Sequence, residues 1–271
     1  MSTQGDKVFA GAVPRLYETH LVPLIFTAYA EDMARRVVSH KPRRVLEVAA
    51  GTGVLTRALA KTLDTPASLV ATDLNDGMLS EAKSIGTARP VTWRRADAMA
   101  LPFDDGSFDT IVCQFGAMFF PDKAAAFREA RRVLAPGGTL AFSVWDRIED
   151  NEFADVVTQS LATRFPEDPP RFLARTPHGY HDRAAIARHL AEAGFTGPAA
   201  IDTVTERSRA ASPDIPALAY CAGTPLRNEI EARDPAGLDA ATRLAAEALA
   251  ERFGRGPIEG KIQAHVVVVQ A

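Results

Sequence analysis

Between residues 45 and 144, short apolar runs alternate with segments of helical period, and this alternation constrains the fold more than any other feature of the chain. Val45-Leu46-Glu47-Val48 has the length and composition of a buried strand. The segment from Val54 to Leu63 carries Leu55, Leu59 and Leu63 at helical spacing. Ser68 to Thr72 is expected to form the second strand, followed by a helix through Met78 and Ala82. Val91 to Arg94 is the expected third strand. Phe108 to Cys113 is the fourth, reached through the turn residues Asp104-Asp105-Gly106-Ser107. Ala124 to Leu134 reads as a helix stopped by Ala135-Pro136-Gly137-Gly138, and Thr139 to Val144 as the fifth strand. Ahead of all these, Ala28 to His40 reads as a helix, with Ala28, Met33, Val37 and Val38 available for burial. Such alternation implies parallel pairing with helices on both faces of one sheet.

The pattern loosens after Trp145. Residues 146–181 carry prolines and aromatics and no clear strand. Asp182 to Ala193 reads as a helix, with Asp182 as N-cap and Gly194 past its end. Ala200 to Arg207 alternates like a strand, and residues 214–254 look helical in two pieces. Asp234-Pro235 is the expected N-cap and first-turn pair of the second piece. His265 to Gln270 is a final β-branched strand. The expected architecture is α/β: a doubly wound, mostly parallel seven-stranded sheet with an antiparallel last strand. One domain would span 1–271, with its core in 28–145, 182–207 and 256–271. Residues 146–181 and 208–255 are the candidates for a partly helical lid.

Whole-chain properties narrow the partners. Of the 271 residues, 46% are hydrophobic and 24% charged, the composition of an ordinary globular protein. A formal net charge of −3 argues against a nucleic-acid surface, which needs concentrated positive charge. Cys113 and Cys221 lack metal-type spacing and read as small buried apolar residues, so no metal site is expected. Met1 to Lys7 is polar and lacks the apolar core of a signal peptide. Leu21 to Ala30 is apolar but interrupted by Pro23 and too short for a bilayer, which takes ~20 residues. The expectation is a cytoplasmic protein with no membrane span, monomeric or homodimeric.

The first strand and its turn carry the strongest chemical signal. In a doubly wound sheet, ligands sit beyond the carboxyl ends of the strands. Gly51 and Gly53 allow a ligand to approach the backbone closely, Thr52 adds a hydroxyl, and the next helix offers free N–H groups. A structural tight turn has the same composition. Asp73, at the end of the second strand, is placed to accept hydrogen bonds from both hydroxyls of a ribose. Its alternative role is to cap the following helix, as Asn75 also could. These two elements suit NAD as well as S-adenosylmethionine. The dinucleotide fingerprint G-x-G-x-x-G fails, however: from Gly51, Thr56 stands in the third glycine's place, and an earlier start puts Ala49 in the first.

Four ordered segments resemble class I S-adenosylmethionine-dependent methyltransferases. Glu47-Val-Ala-Ala-Gly-Thr-Gly53 is similar to their motif I, Asp/Glu-x-Gly-x-Gly-x-Gly, with Ala49 replacing the first glycine. Ala71-Thr-Asp73-Leu-Asn-Asp-Gly-Met78 resembles the ribose-binding segment. Arg95-Ala-Asp97-Ala98 with Leu101-Pro-Phe-Asp-Asp-Gly-Ser-Phe-Asp109 resembles the adenine loop and the approach to strand four. Arg131-Arg-Val-Leu-Ala-Pro-Gly-Gly138 resembles the stretch before strand five. The set is similar to the type-11 subgroup, which includes the ubiquinone and menaquinone biosynthesis methyltransferases, and covers residues 43–145.

The resemblance implies a Rossmann-like fold and a set of cofactor contacts. Glu47 and the backbone of Ala49 and Gly51 would face the methionine part of S-adenosylmethionine, with Thr52 and Gly53 completing the turn. Asp73 would hold the ribose, and Leu74 and Met78 would pack beside the adenine. Asp97 would accept from the adenine amino group, with Ala98 nearby. Gln114 would flank the methionine carboxylate or the sulfonium. For Asp97 the structural alternative is a loop cap, and for Gln114 a surface polar residue.

Methyl transfer asks the protein mainly for positioning and exclusion of water. A base is needed only where the acceptor must lose a proton. His178 and His181, after strand five, and Tyr17, ahead of the first expected helix with His20, are the candidates for catalysis or pocket closure. Phe115, Phe119 and Phe120 are candidates for an apolar acceptor pocket or for core. His265 reads as structural. The chain is thus expected to methylate a small-molecule acceptor at O, N or C. The alternatives are an NAD-dependent oxidoreductase, a non-catalytic S-adenosylmethionine-binding protein, or a relative using the sulfonium for other chemistry such as cyclisation.

Overall fold

Seven strands form one sheet in the order β3-β2-β1-β4-β5-β7-β6 in a computed structural model that describes residues 13–271. The polar stretch Met1 to Lys7 lies outside the described residues. The strands are β1 (Arg44–Val48), β2 (Ser68–Asp73), β3 (Thr92–Arg95), β4 (Phe108–Gln114), β5 (Leu134–Trp145), β6 (Ala200–Ala210) and β7 (Ile258–Gln270). Strands β1 to β5 run parallel. β7 is antiparallel to both β5 and β6.

The winding reverses beside β1: β2 and β3 lie on one side, β4 and β5 on the other. Beyond the carboxyl ends of β1 and β4 the connections therefore diverge and leave a crevice. Adjacent residues of β1 feed opposite faces, as the two-residue period requires. Val45 packs with Met33, Val37, Leu55 and Leu59 from α2 (Thr27–Ser39) and α3 (Val54–Thr62). Leu46 joins the larger core with Ile111, Phe142 and Val267. Both side chains are fully buried, which is why the run reads as continuously apolar.

The remaining helices are α1 (Val13–Leu16), α4 (Asp76–Ile85), α5 (Lys123–Val133), α6 (Glu152–Arg164), α7 (Phe172–Arg175), α8 (Arg183–Glu192), α9 (Asp214–Ala222), α10 (Leu226–Arg233) and α11 (Leu238–Phe253). Between α1 and α2 the chain stays helical through a wide-turn π segment, Tyr17–Phe26, which holds Pro23. Proline cannot donate to the helical ladder, and the π register accommodates it, with the Thr27 N–H reaching back to the Val22 carbonyl. Tyr17 and His20 thus lie inside a helical segment rather than ahead of the first helix.

The structure corrects the sequence reading at four further places. Residues 146–181 are largely helical, not irregular: α6 buries Phe153, Ala154, Val156, Val157, Ser160 and Leu161, too wide a spread for a recognisable stripe. Residues 214–254 form three helices, not two. Asp234 does not cap α11. Its carboxylate takes the Arg164 guanidinium at 2.8 Å, and the helix starts after Gly237, whose N–H donates to the Asp234 carbonyl. Finally, β5 begins at Leu134, paired with Phe108, before the register shifts across Pro136-Gly137 to pair Thr139 with Thr110. The expected N-cap holds: Asp182 accepts the Ala184 N–H at 2.8 Å.

Helices α6, α9 and α11 pack on one another, and α7 and α10 complete this layer. Glu229 of α10 staples it, pairing with Arg175 at 2.8 Å and accepting the N–H groups of Arg171 and Phe172. The layer covers the carboxyl end of the sheet. Among the described residues no helix is long and apolar enough to cross a membrane, and no group of side chains is arranged to hold a metal ion.

Candidate functional site

The crevice beside β1 opens into a cavity that runs from the glycine turn to the helical layer. Its inner wall begins at Ala49, the residue after β1, which is left-handed (φ 56°), as is Gly51 (φ 56°). An alanine there carries steric strain that glycine would not. The turn exposes the Gly51 N–H, which donates to Asp73 Oδ2 at 2.8 Å. Asp73 Oδ1 accepts the Asn75 N–H at 2.8 Å. The carboxylate thus ties the ends of β1 and β2 together; Oδ1 also takes the Asn75 side-chain amide at 3.4 Å, and Oδ2 keeps a lone pair free, since each oxygen can accept twice. Burial raises the Asp73 carboxyl above its usual range, and the N–H donors from Asn75 and Gly51 hold it back.

Glu47 is buried below the turn and accepts the Thr56 hydroxyl. Burial pushes its carboxyl up to about 8, against the opposing pull of the Thr56 hydrogen bond and the Arg57 charge. Of the buried side-chain polar atoms left without a partner among the described residues, two belong to residues lining this cavity: Thr52 Oγ1 and Gln114 Oε1. The Gln114 amide N–H group donates to the Phe26 carbonyl at 3.1 Å, which turns its oxygen free. Native interiors satisfy nearly all such atoms, so two orphans on one cavity wall point to a missing polar ligand.

The opposite rim is apolar. Leu74 is 41% exposed, the Met78 side chain is buried beside it, and Ala96 and Ala98 complete the wall. Asp97 sits at the mouth, where Oδ1 accepts the Met99 N–H at 2.9 Å. The inner end is aromatic. Phe115, also left-handed (φ 52°), stacks on Trp145 with centroids 3.9 Å apart, and Tyr29 meets both edge-on at 5.3 Å. Phe119, Phe120, Phe172, Leu173, Tyr220 and Pro225 continue the lining. Lys123 fixes the Phe119–Phe120 turn by donating to the carbonyls of Met118 and Phe120.

Of the side chains expected at a cofactor, Glu47, Ala49, Gly51, Thr52, Asp73, Leu74, Met78, Asp97, Ala98 and Gln114 all line this one cavity. Gly53 does not. It caps α3 in a left-handed conformation (φ 86°), where a Cβ would sit 3.0 Å from the Trp93 ring. Tyr17 and His178 line the cavity; His20 and His181 do not. Tyr17 stacks on Phe26 at 5.2 Å, and burial, helped by the Asp73 and Glu18 charges, raises its phenol. His181 is spent on the His178 carbonyl at 2.8 Å. His265 bridges Thr203 and Asp146 within the sheet. Cys113 and Cys221 are buried free thiols, both pushed up to about 12 by burial. Lining residues that the sequence did not flag include Trp145, Phe172 and Tyr220. Trp145 ends an otherwise ordinary buried strand, and Tyr220 lies in α9, whose cavity-facing side has no sequence marker.

A profile described as a methyltransferase domain matches residues 46–142. A demethylmenaquinone methyltransferase of Corynebacterium kroppenstedtii is 31% identical over 189 residues, which covers 66% of this chain and 80% of the relative. The chain belongs to the class I S-adenosylmethionine-dependent methyltransferase family. An uncharacterised protein of Mycobacterium tuberculosis is 41% identical over 156 residues, 57% of this chain; the match spans only about half, 54%, of that relative. The crystal structure of the YcgJ protein from Bacillus subtilis superposes with a TM-score of 0.55 at 17% identity, covering 88% of this chain and 97% of YcgJ, and shares its fold. The strand order and the antiparallel β7 are those of this methyltransferase family's sheet.

Proposed function

We propose that the protein transfers the methyl group of S-adenosylmethionine to an uncharged, apolar small molecule. The observation that carries this reading is the continuity of one cavity from the Gly51–Asp73 cradle into the aromatic chamber. The residues present suit the cofactor. Asp73 Oδ2 has a lone pair free for a ribose hydroxyl, and Leu74 and Met78 offer an apolar shelf for adenine. Asp97 faces the mouth, where an exocyclic amine would lie. Glu47 and the orphaned oxygens of Thr52 and Gln114 suit the amino-acid end. S-Adenosylmethionine, when bound, supplies an electrophilic methyl on a good leaving group.

The chain's own residues then position and exclude water. Tyr17 closes the cofactor end from the N-terminal helical segment, anchored by the Glu18–Arg57 ion pair. The helical layer closes the acceptor end through Phe172, Leu173 and Tyr220. No lysine or arginine is among the described residues lining the cavity, which supports an uncharged acceptor. The carboxylates are confined to the cofactor half. The name of the Corynebacterium relative specifies an acceptor of the same apolar kind.

Calorimetric titration tests the reading. The protein is expected to bind S-adenosylhomocysteine and not NAD, and to transfer labelled methyl to apolar acceptors in preference to carboxylates or phosphates. Binding of NAD alone would overturn it.

A further inference from the structure

Among the described residues, one buried side chain of the aromatic chamber is able to take a proton. His178 follows α7, is 6% exposed, and lines the cavity beside Trp145, with ring centroids 6.1 Å apart. Its Nδ1 lies 2.8 Å from the Asp146 carbonyl oxygen. A carbonyl only accepts, so Nδ1 carries the hydrogen and Nε2 keeps the lone pair. That orientation is built in. The Asp146 carboxylate is itself held by the Arg147 N–H at 2.8 Å and by the Gln263 amide at 2.7 Å, with His265 Nε2 at 3.4 Å. The His178 carbonyl is held in turn by His181 Nδ1. One imidazole is therefore locked in a single tautomer, with its basic nitrogen the one not engaged by the backbone.

We infer that the acceptor carries a hydroxyl, as in a phenol or quinol, and that His178 Nε2 takes the hydroxyl proton during methyl transfer. The inference rests on the methyltransferase reading above. The acceptor O–H bond breaks as its oxygen bonds to the methyl carbon; the methyl–sulfur electron pair stays on sulfur; the proton goes to Nε2. The groups facing the imidazole favour a neutral resting state. Burial and the nearby His181 lower its pKa, against the Asp146 carbonyl and the Glu149 and Asp146 charges, to about 4. The unliganded ring is thus unprotonated at neutral pH, with Nε2 open to accept a proton. An amine acceptor would present no such need, because its neutral form already has the attacking lone pair.

The test uses the full chain with His178→Gln, whose amide keeps a donor for the Asp146 carbonyl, and His178→Gly. Binding of S-adenosylhomocysteine is the control for folding and for the cofactor site, and is expected to be unchanged in both. The probes are a naphthol, which is un-ionised near neutral pH, and p-nitrophenol at mildly alkaline pH, where it is already an anion. Loss of a general base typically costs 100-fold or more, so kcat on the naphthol is expected to fall by about 100-fold. The loss on pre-ionised p-nitrophenol is expected to be less than about 10-fold, and added imidazole should restore part of the His178→Gly rate on naphthol. Nitrogen NMR of the wild type is expected to show the Nδ1–H tautomer. Equal losses on both probes would assign His178 a positioning role and overturn the inference. So would a wild type that binds S-adenosylhomocysteine yet methylates only amines, or neither phenol. A wild type that does not bind S-adenosylhomocysteine would instead overturn the methyltransferase reading itself.

Discussion

Asp73 Oδ2 accepts the Gly51 N–H at 2.8 Å, so the carboxylate at the end of β2 holds the glycine turn after β1 in shape. The same side chain also takes the Asn75 N–H ahead of α4. The helix-capping alternative and the ribose-binding role are therefore not exclusive, since one carboxylate has lone pairs for both. Asp73→Ala removes the acceptor of both backbone N–H groups and leaves those donors unmatched. We expect a stability loss of about 1–3 kcal/mol, with S-adenosylhomocysteine affinity reduced by a similar increment. Asp73→Asn keeps one acceptor oxygen and should lose affinity with less loss of stability. Chemical denaturation and calorimetry on both variants check this; unchanged affinity in Asp73→Ala would remove the residue from the cofactor site.

Glu47 makes the unliganded protein sensitive to pH. Its carboxyl is held near 8 when folded and returns to the ordinary carboxylate value of about 4.3 when unfolded. Between those values the folded state binds more protons than the unfolded one, so stability falls as pH rises from about 4.3 to about 8. The raised Asp73 carboxyl acts in the same direction. Glu47→Gln removes the Glu47 contribution: the variant should be more stable than wild type at pH above about 8 by a few kcal/mol, and less so at pH about 5. Thermal unfolding across that range checks it. A cofactor amino group bound against Glu47 would favour the ionised form, so binding near neutral pH should release a proton. Calorimetry in buffers of different ionisation enthalpy reads that release.

The two glycines of the turn should respond differently to alanine. Gly51 is left-handed, but a Cβ there meets nothing within 4 Å and would project into open cavity. Gly51→Ala is expected to cost about 1–2 kcal/mol through backbone strain, and to weaken cofactor binding more than that. Gly53→Ala adds a Cβ 3.0 Å from the Trp93 ring and 3.2 Å from Ala82 Cβ, on top of the same strain. It should destabilise more and leave the affinity of the folded fraction nearly intact. Denaturation and titration of both variants separate the two roles.

What sequence made legible here follows from period and punctuation. Val45-Leu46 is buried on both faces of the sheet, so β1 stands out as an uninterrupted apolar run. Asp73 stands out because a strand of that register ends on it. Helix α6 stayed hidden because Phe153, Ala154, Val156 and Val157 are all buried, and a helix buried on most sides shows no stripe. Asp234 misled because a long-range ion pair to Arg164 captured a side chain that local rules assign to a cap. The candidate cofactor wall was legible because it is built from local turns. The aromatic chamber was only partly so, because Tyr220, Phe172 and Trp145 come from distant segments and meet only in the folded chain. His178 is intermediate: its residue type was noticed, but its tautomer depends on the Asp146 carbonyl.

Ala49 and Gly116 offer a sharper test of how the cavity floor is built. Ala49 is left-handed where the family motif has glycine, and a Cβ added to Gly116 would lie 2.5 Å from Ala49 Cβ and 2.7 Å from Cys113 Sγ. The alanine is tolerated because its neighbour is a glycine. Ala49→Gly alone relieves the left-handed strain but frees the unfolded chain; the two effects are each about 1 kcal/mol and opposed, so stability should change little. Gly116→Ala alone overpacks the floor and should cost about 1–3 kcal/mol. In the double variant the Cβ–Cβ clash disappears, while the contact with Cys113 remains. The double-mutant cycle should therefore show a favourable coupling of about 0.5–3 kcal/mol, smaller than the full Gly116→Ala penalty. Strict additivity of the two changes would mean that the turns after β1 and β4 do not meet at these residues.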